Sequence, residues 1–93
     1  MNISKGKEQQ LSKALAASLP MLRAKIGISQ AELADMVEVT RQTVSAYESK
    51  QREMPWHMFL AIMMIFTSNP VTKRLLEALD IYSDDFHQCI DLK

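Results

Sequence analysis

Apolar residues recur along the chain at steps of three and four positions, which is the spacing of one face of an α-helix. The first such stripe consists of Leu11, Leu15, Leu19, Leu22 and Ile26. Pro20 lies inside this stripe and lacks the N–H that would bond the carbonyl of Ala16, so we predict a kink or a restart there, with Ser18 as the cap. Gly27 follows the last apolar position and predicts a left-handed residue that ends the helix.

Two helix starts follow, eleven residues apart. Ser29 with Glu32 three positions later has the pattern of a capping box, in which each side chain bonds the backbone N–H of the other residue. Thr40 is the second cap, so we predict helices over residues 30–36 and 41–49. Only three residues separate the first helix from the second cap. The two helices must therefore be direct neighbours at a large angle, which is a helix-turn-helix.

Proline at a first helical position marks two further starts, at Pro55 and Pro70. The helix after Pro55 is apolar nearly all round as far as Phe66, so we expect it to be the central one. The helix after Pro70 has an apolar stripe that we predict to be buried, formed by Val71, Leu75, Leu76 and Leu79. Ser83 predicts the cap of a last short helix, with acidic residues at its positive end. The pattern therefore predicts an all-α fold of five to six helices in a single domain over residues 1–93.

Composition narrows the class of protein. Hydrophobic residues make up 47% of the chain and charged residues 24%, which is typical of a globular domain and excludes a disordered one. The longest apolar run, residues 58–66, is far too short to cross a membrane. Residues 1–5 are polar and unlike a signal peptide, and the single cysteine, Cys89, fits a reducing compartment. We therefore expect a cytoplasmic protein without a membrane partner.

Charge is distributed unevenly along a chain whose formal net charge is zero. Residues 1–52 carry eight positive and five negative side chains, whereas residues 53–93 carry three positive and six negative ones. The basic N-terminal half permits a nucleic-acid partner without requiring one. Overall neutrality argues against strong non-specific binding to DNA, which depends on neutralising phosphates.

The second helix of the helix-turn-helix has an outward face suited to a DNA groove. With Val44 and Tyr47 turned inward, a rotation of 100° per residue turns four residues outward and two onto the shoulders. These are Gln42, Ser45, Ala46 and Ser49, flanked by Arg41 and Thr43. A glutamine amide matches adenine, and a guanidinium matches guanine or a phosphate. The same pattern also suits a small polar surface on an ordinary helical hairpin.

The motif resembles the phage repressor and Cro-like (XRE-type) helix-turn-helix family. The resemblance rests on Ser29-Gln30 with Glu32-Leu33-Ala34, then Thr40-Arg41-Gln42-Thr43-Val44-Ser45, then Tyr47-Glu48. It covers about residues 19–66, which leaves an N-terminal helical extension of about 5–18 and a C-terminal helical segment of about 69–91. The resemblance implies a compact, lambda-repressor-like domain of five helices whose third helix enters the major groove.

The resemblance also implies roles for individual residues. Base contacts fall to Arg41, Gln42, Ser45 and Ala46 of the third helix. Phosphate contacts are implied for Gln30, Lys50 and Arg52, and we expect Thr43, on the shoulder of the third helix, to contact a phosphate as well. Arg23 and Glu48 match an ion pair between the first and third helices. Two positions depart from the family, because Glu38 and Lys50 stand where it favours glycine; a left-handed Glu38 costs about 1 kcal/mol relative to glycine and adds a negative charge near the DNA face.

Other kinds of function have weaker support. His87 and Cys89 lack a second pair at ligand spacing, so we expect no metal and no cofactor. The sequence contains no legible catalytic arrangement and no glycine-rich phosphate loop, so we expect no enzyme. We predict double-stranded DNA as the partner and a homodimer formed after Asn69, where several apolar residues exceed what a small domain buries: Leu76, Ile81, Tyr82, Phe86 and Ile90. The alternative is a protein-interaction module on the same scaffold, such as an antitoxin whose acidic segment 80–91 binds a toxin.

Overall fold

A computed structural model describes residues 4–82 of the chain. Within them the fold is five α-helices without a strand: α1 Lys5–Ile26, α2 Gln30–Met36, α3 Arg41–Glu48, α4 Trp56–Thr67 and α5 Pro70–Ala78. The predicted all-α class is confirmed. The short helix predicted after Ser83 lies outside the described residues, as do Phe86, His87, Cys89 and Ile90. Within residues 4–82, no helix has both the length and the apolar composition that crossing a membrane needs.

Helix α1 runs without interruption through Pro20, so the predicted restart is wrong. Ser18 is not a cap, because its hydroxyl donates to the carbonyl of Ala14 at 3.0 Å inside the helix. Pro20 faces solvent, while Leu19 and Leu22 on either side of it are fully buried. An interior proline costs a helix about 3 kcal/mol, whereas burying one leucine side chain contributes about 1.5–3 kcal/mol. The packing of these two leucines therefore offsets the proline.

The core is built around α1. This helix packs against α3, α4 and α5, whereas α4 packs mainly against α1 and α5 and α2 packs mainly against α3. The predicted central helix, α4, is therefore less central than α1. It does contribute much of the core through Met58, Phe59, Ile62, Met63 and Phe66. Its apolar surface is not buried all round, however, since Met64 is 69% exposed.

The buried face of α5 differs from the predicted one. Thr72 and Leu76, four positions apart, are buried, whereas Val71 is 53% exposed and Leu79 45% exposed. The Thr72 hydroxyl donates to the carbonyl of Phe66, which lets a polar residue occupy the core side. The packing thus rotates the buried stripe by one residue. Leu76 and Ile81 are both buried in a single copy of the chain, so including them in a dimer surface was wrong.

Four helices end in the same left-handed turn. A residue with positive φ follows each of them: Gly27 comes directly after α1, and Glu38, Lys50 and Asp80 are the second residues after α2, α3 and α5. In each turn the next N–H bonds the carbonyl five positions earlier, and the left-handed residue bonds the carbonyl three positions earlier. This is the Schellman arrangement, which satisfies carbonyls that the helix leaves unpaired. The stop predicted at Gly27 is confirmed, and Glu38 is left-handed at the position where the family favours glycine.

Candidate nucleic-acid interface

Side-chain caps start both helices of the helix-turn-helix. The Ser29 hydroxyl accepts from the N–H of Glu32 at 3.0 Å, and the Glu32 carboxylate accepts from the N–H of Ser29 at 2.8 Å. The predicted capping box is therefore present. The Thr40 hydroxyl accepts from the N–H of Thr43 at 3.2 Å, which starts α3. These caps fix the first turn of each helix, including the turn of α3 that carries Arg41.

Small and branched apolar side chains pack in the angle between α2 and α3 and hold the two helices together. Leu33 and Val44 are fully buried, Ala34 is almost fully buried, and Tyr47 packs inward on the last turn of α3. Val39, in the turn between the helices, packs against this cluster. The backbone of α3 is thereby held on one side only. Its other side is left to polar and small residues.

The carboxylate of Glu48 ties α3 to both preceding helices. It accepts from Nε of Arg23 at 2.7 Å and from Nη2 of the same residue at 3.1 Å. The pair is bidentate and mostly buried, with side-chain exposures of 16% for Arg23 and 8% for Glu48. Arg23 also donates through Nη1 to the carbonyl of Ile28. Such two-point pairing fixes orientation as well as distance. The structure therefore joins the two residues for which the resemblance implies an ion pair.

Gln30 extends this network to the start of α3. Its side-chain nitrogen donates to Oε1 of Glu48 at 2.8 Å, and its side-chain oxygen accepts from Nη1 of Arg41 at 3.3 Å. The guanidinium of Arg41 is thus connected to the Arg23–Glu48 pair through one amide. Sequence reasoning missed this link. Glu48 lies 18 residues and Arg41 11 residues from Gln30 along the chain, and no local spacing rule relates residues so far apart.

Comparison with known families decides what kind of motif this is. A family model described as Helix-turn-helix matches residues 21–54, from the second half of α1 to the residue before Pro55. The chain contains an XRE-type helix-turn-helix. That family is one of DNA-binding regulators and is not typically enzymatic. No curated protein and no solved structure matches the chain.

The helix-turn-helix leaves the proposed contact residues with different degrees of exposure. Arg41 and Gln42 are exposed on the first turn of α3, whereas Thr43, Ser45 and Ala46 are half-buried. The hydroxyl of Thr43 is hydrogen-bonded to the hydroxyl of Thr40 at 3.0 Å. Among residues 4–82, Lys50 and Arg52 are exposed and have no ion-pair partner. The outer face of the motif therefore has two long polar side chains at its start and two free cations beyond its end.

The helix-turn-helix brings together no metal site. Within the described part of the chain, no three histidine, cysteine, aspartate or glutamate side chains are grouped closely enough to hold an ion. The titratable group whose pKa is shifted at the end of α3 is the hydroxyl of Tyr47. Burial raises the pKa of its hydroxyl above the usual value, while the positive charge of Arg52 acts in the opposite direction. The phenol is therefore a neutral hydrogen-bond donor at physiological pH.

Proposed function

We propose that the protein is a sequence-specific DNA-binding transcriptional regulator that inserts α3 into the major groove. The observation that carries this proposal is the arrangement of Arg41 and Gln42. Both are exposed on the first turn of α3, while the Thr40 cap and the Glu48 network fix that turn to the core. A side chain presented from a rigid backbone can discriminate between bases because little ordering is left for the moment of binding.

Each outward residue of α3 has a chemical role in this proposal. The Gln42 amide can donate to N7 and accept from N6 of adenine, and the Arg41 guanidinium can donate to O6 and N7 of guanine. Ser45 and Ala46 are small and contact the base edges at close range. Because Ser45 and Ala46 are half-buried, we assign most of the discrimination to the first turn.

Phosphate contacts hold the helix in register in the same proposal. Lys50 and Arg52 supply the charge, since both are exposed beyond the end of α3. Gln30 and Thr43 supply hydrogen bonds at the start of α2 and α3. The Gln30 amide has a second N–H besides the one bonded to Glu48, and this hydrogen is the one that we assign to a phosphate. Such contacts position the protein without distinguishing sequences.

Selection of bound duplexes from a random DNA pool tests the proposal. We expect enrichment of a short motif that contains adenine and guanine where Gln42 and Arg41 meet the groove. The double variant Gln42→Ala/Arg41→Ala should lose the motif and keep residual affinity. Gln9→Ala, which changes an exposed glutamine of α1 outside the motif, should select the same motif as the unaltered chain. Failure to enrich any motif at low salt would overturn the proposal.

We also propose that two copies associate through the segment after Asn69 and act on DNA in the cytoplasm. The exposed Val71 and Leu79 of α5 support this surface. A two-fold symmetric dimer would place two copies of α3 about 34 Å apart, which is one turn of DNA. Sedimentation should show a dimer at micromolar concentration and a shift toward monomer in Val71→Ser/Leu79→Ser. A monomer at high micromolar concentration would contradict dimerisation of the free protein.

The second candidate function is that of a protein-interaction module, such as an antitoxin. Residues 80–91 contain four aspartates with apolar residues between them, a composition that suits a basic and apolar partner surface. A failed DNA selection, together with a toxin gene adjacent to the gene for this chain, would favour this candidate.

A further inference from the structure

A cavity of about 340 Å³ lies between the first half of α1 and the segment that follows α3. Ser12, Lys13 and Ala16 line it on α1, and Tyr47, Lys50 and Arg52 line it on the other side. Its volume lies within the range of small-molecule sites, about 300–1,000 Å³. A space of this size in so small a domain is large enough to hold a ligand, and its lining determines which kind.

The lining is strongly positive. Lys13, Lys50 and Arg52 contribute three cations, and Glu53 contributes one carboxylate. Within residues 4–82, none of the three cations forms an ion pair, since the structure places no carboxylate oxygen within 4.0 Å of them. Positive charges that surround a cavity with low-dielectric walls raise the local concentration of anions. The electrostatics of the cavity therefore favour a negatively charged occupant.

Two mostly buried residues also contribute hydroxyl groups to the cavity. Ser12 is 3% exposed and Tyr47 2% exposed, and both line the cavity. Within the described part of the chain, neither hydroxyl has a hydrogen-bond partner in the protein. Neither oxygen is enclosed, because neither is among the fully buried side-chain polar atoms of residues 4–82 that lack a hydrogen bond. Both hydroxyls can therefore bond polar atoms of a ligand that enters the cavity. Because the Tyr47 phenol is neutral, it can donate to an anionic oxygen.

We infer that this cavity binds a small organic anion, in which one phosphate or carboxylate group is attached to an apolar body. The anionic group lies among Lys13, Lys50 and Arg52 and accepts from the hydroxyls of Ser12 and Tyr47. The apolar body lies against Ala16 and Met54, which supply the non-polar part of the lining.

Occupancy of the cavity has a consequence for DNA, and this part rests on the proposed function. Lys50 and Arg52 line the cavity and are also the cations that we assign to phosphates of the DNA backbone. One guanidinium and one ammonium cannot serve both anions fully. Binding of the small anion therefore weakens binding of DNA.

Titration of the full chain without DNA tests the cavity directly. The probe is phenyl phosphate, and the neutral control is phenol, which has the same ring without the phosphate group. Both compounds are added at constant ionic strength, and backbone NMR shifts are followed. We expect saturable shifts at Ser12, Tyr47 and Met54 with phenyl phosphate and at least roughly tenfold weaker binding of phenol. Equal binding of the two compounds, or shifts that do not saturate, would overturn the inference.

Three variants separate the cavity from general charge effects. Lys13→Gln removes a lining cation that has no part in the proposed DNA contacts, and Tyr47→Phe removes only the hydroxyl. Each substitution should weaken the binding of phenyl phosphate by roughly three- to tenfold. The melting temperature of each variant should equal that of the unaltered chain. Lys25→Gln removes an exposed lysine of α1 outside the cavity and should bind the probe normally. An equal loss in Lys25→Gln would show that the effect is only one of net charge.

The link to DNA is tested separately on a selected duplex. Phenyl phosphate should reduce the affinity of the unaltered chain for that duplex and have roughly three- to tenfold less effect on Lys13→Gln. Saturable probe binding with unchanged DNA affinity would overturn the competition and leave the cavity assignment in place. If the chain bound no DNA at all, the proposed function would fall, while the DNA-free titration would still decide the cavity.

Discussion

The side-chain amide of Gln30 donates a hydrogen bond of 2.8 Å to Oε1 of Glu48. The bond crosses from the first residue of α2 to the last residue of α3. The oxygen of the same amide accepts from Arg41 at the first residue of α3, so both ends of this helix are connected through one side chain. Orientation of the exposed turn of α3 therefore depends on a carboxylate that lies two turns away from it.

The Arg23–Glu48 pair should be the polar interaction on which stability depends most. Arg23→Ala leaves a mostly buried carboxylate without its guanidinium, which costs up to about 3–5 kcal/mol when burial is complete. Exposures of 16% and 8% place the pair close to that limit. Urea denaturation measures the change in the free energy of unfolding.

Two controls define the origin of this loss. Lys25→Ala removes an exposed cation two residues along α1 and should change stability little. Arg23→Ala/Glu48→Ala should lose less than the sum of the two single variants, because no charge is left unpaired. If Arg23→Ala melted like the unaltered chain, the pair would contribute nothing to the fold.

Gln30→Ala should affect recognition more than stability. Glu48 keeps both hydrogen bonds from Arg23 in this variant, so the free energy of unfolding should fall by only about 0.5–1.5 kcal/mol. Arg41 loses its hydrogen bond to Gln30 and must be ordered when DNA binds. The affinity for a selected duplex should therefore fall roughly two- to tenfold. Gln51→Ala, an exposed glutamine beyond α3, is the matched control. Unchanged affinity in Gln30→Ala would show that Arg41 needs no positioning.

Glu38→Gly should stabilise the fold. Glu38 has φ of 60° in the turn between α2 and α3, where glycine avoids a strain of about 1 kcal/mol. Glu38→Ala keeps the β-carbon and should gain little, which separates backbone strain from charge. The reverse change, Gly27→Ala, should lose about 1 kcal/mol, because an added β-carbon meets no atom within 4 Å and only the backbone is strained. Thermal melts of the three variants give this order; an equal gain in Glu38→Ala would assign the effect to the side chain.

Base recognition and phosphate binding should separate when sequence and salt are varied together. Gln42→Ala should lose about 1–3 kcal/mol of discrimination at one base position per half-site. Arg52→Gln should weaken all duplexes about equally and reduce the salt dependence by roughly one ion per site. Fluorescence anisotropy on a set of single-base variants measures both quantities. If Gln42→Ala weakened every duplex equally, α3 would not lie in the groove as proposed.

Local signals predicted much of this fold, and their failures have a common cause. The capping box of Ser29 and the stop at Gly27 depend on residues within a few positions, so the sequence alone determines them. The path of α1 through Pro20 depends on burial against other helices, and so does the rotated face of α5. The Gln30–Glu48 bond likewise joins residues that only the tertiary fold brings together. Long-range packing therefore decided the features that spacing rules could not predict.

The unbroken course of α1 has a mechanical consequence. Ser12 and Lys13 of the cavity and Arg23 of the ion pair belong to one helix, at separations of about 15 Å along its axis. A hinge at Pro20 would let the two ends move independently, whereas a continuous rod transmits any tilt from one end to the other. Displacement of the cavity wall would thus pull on Arg23, and through Glu48 and Gln30 it would shift the turn that presents Arg41.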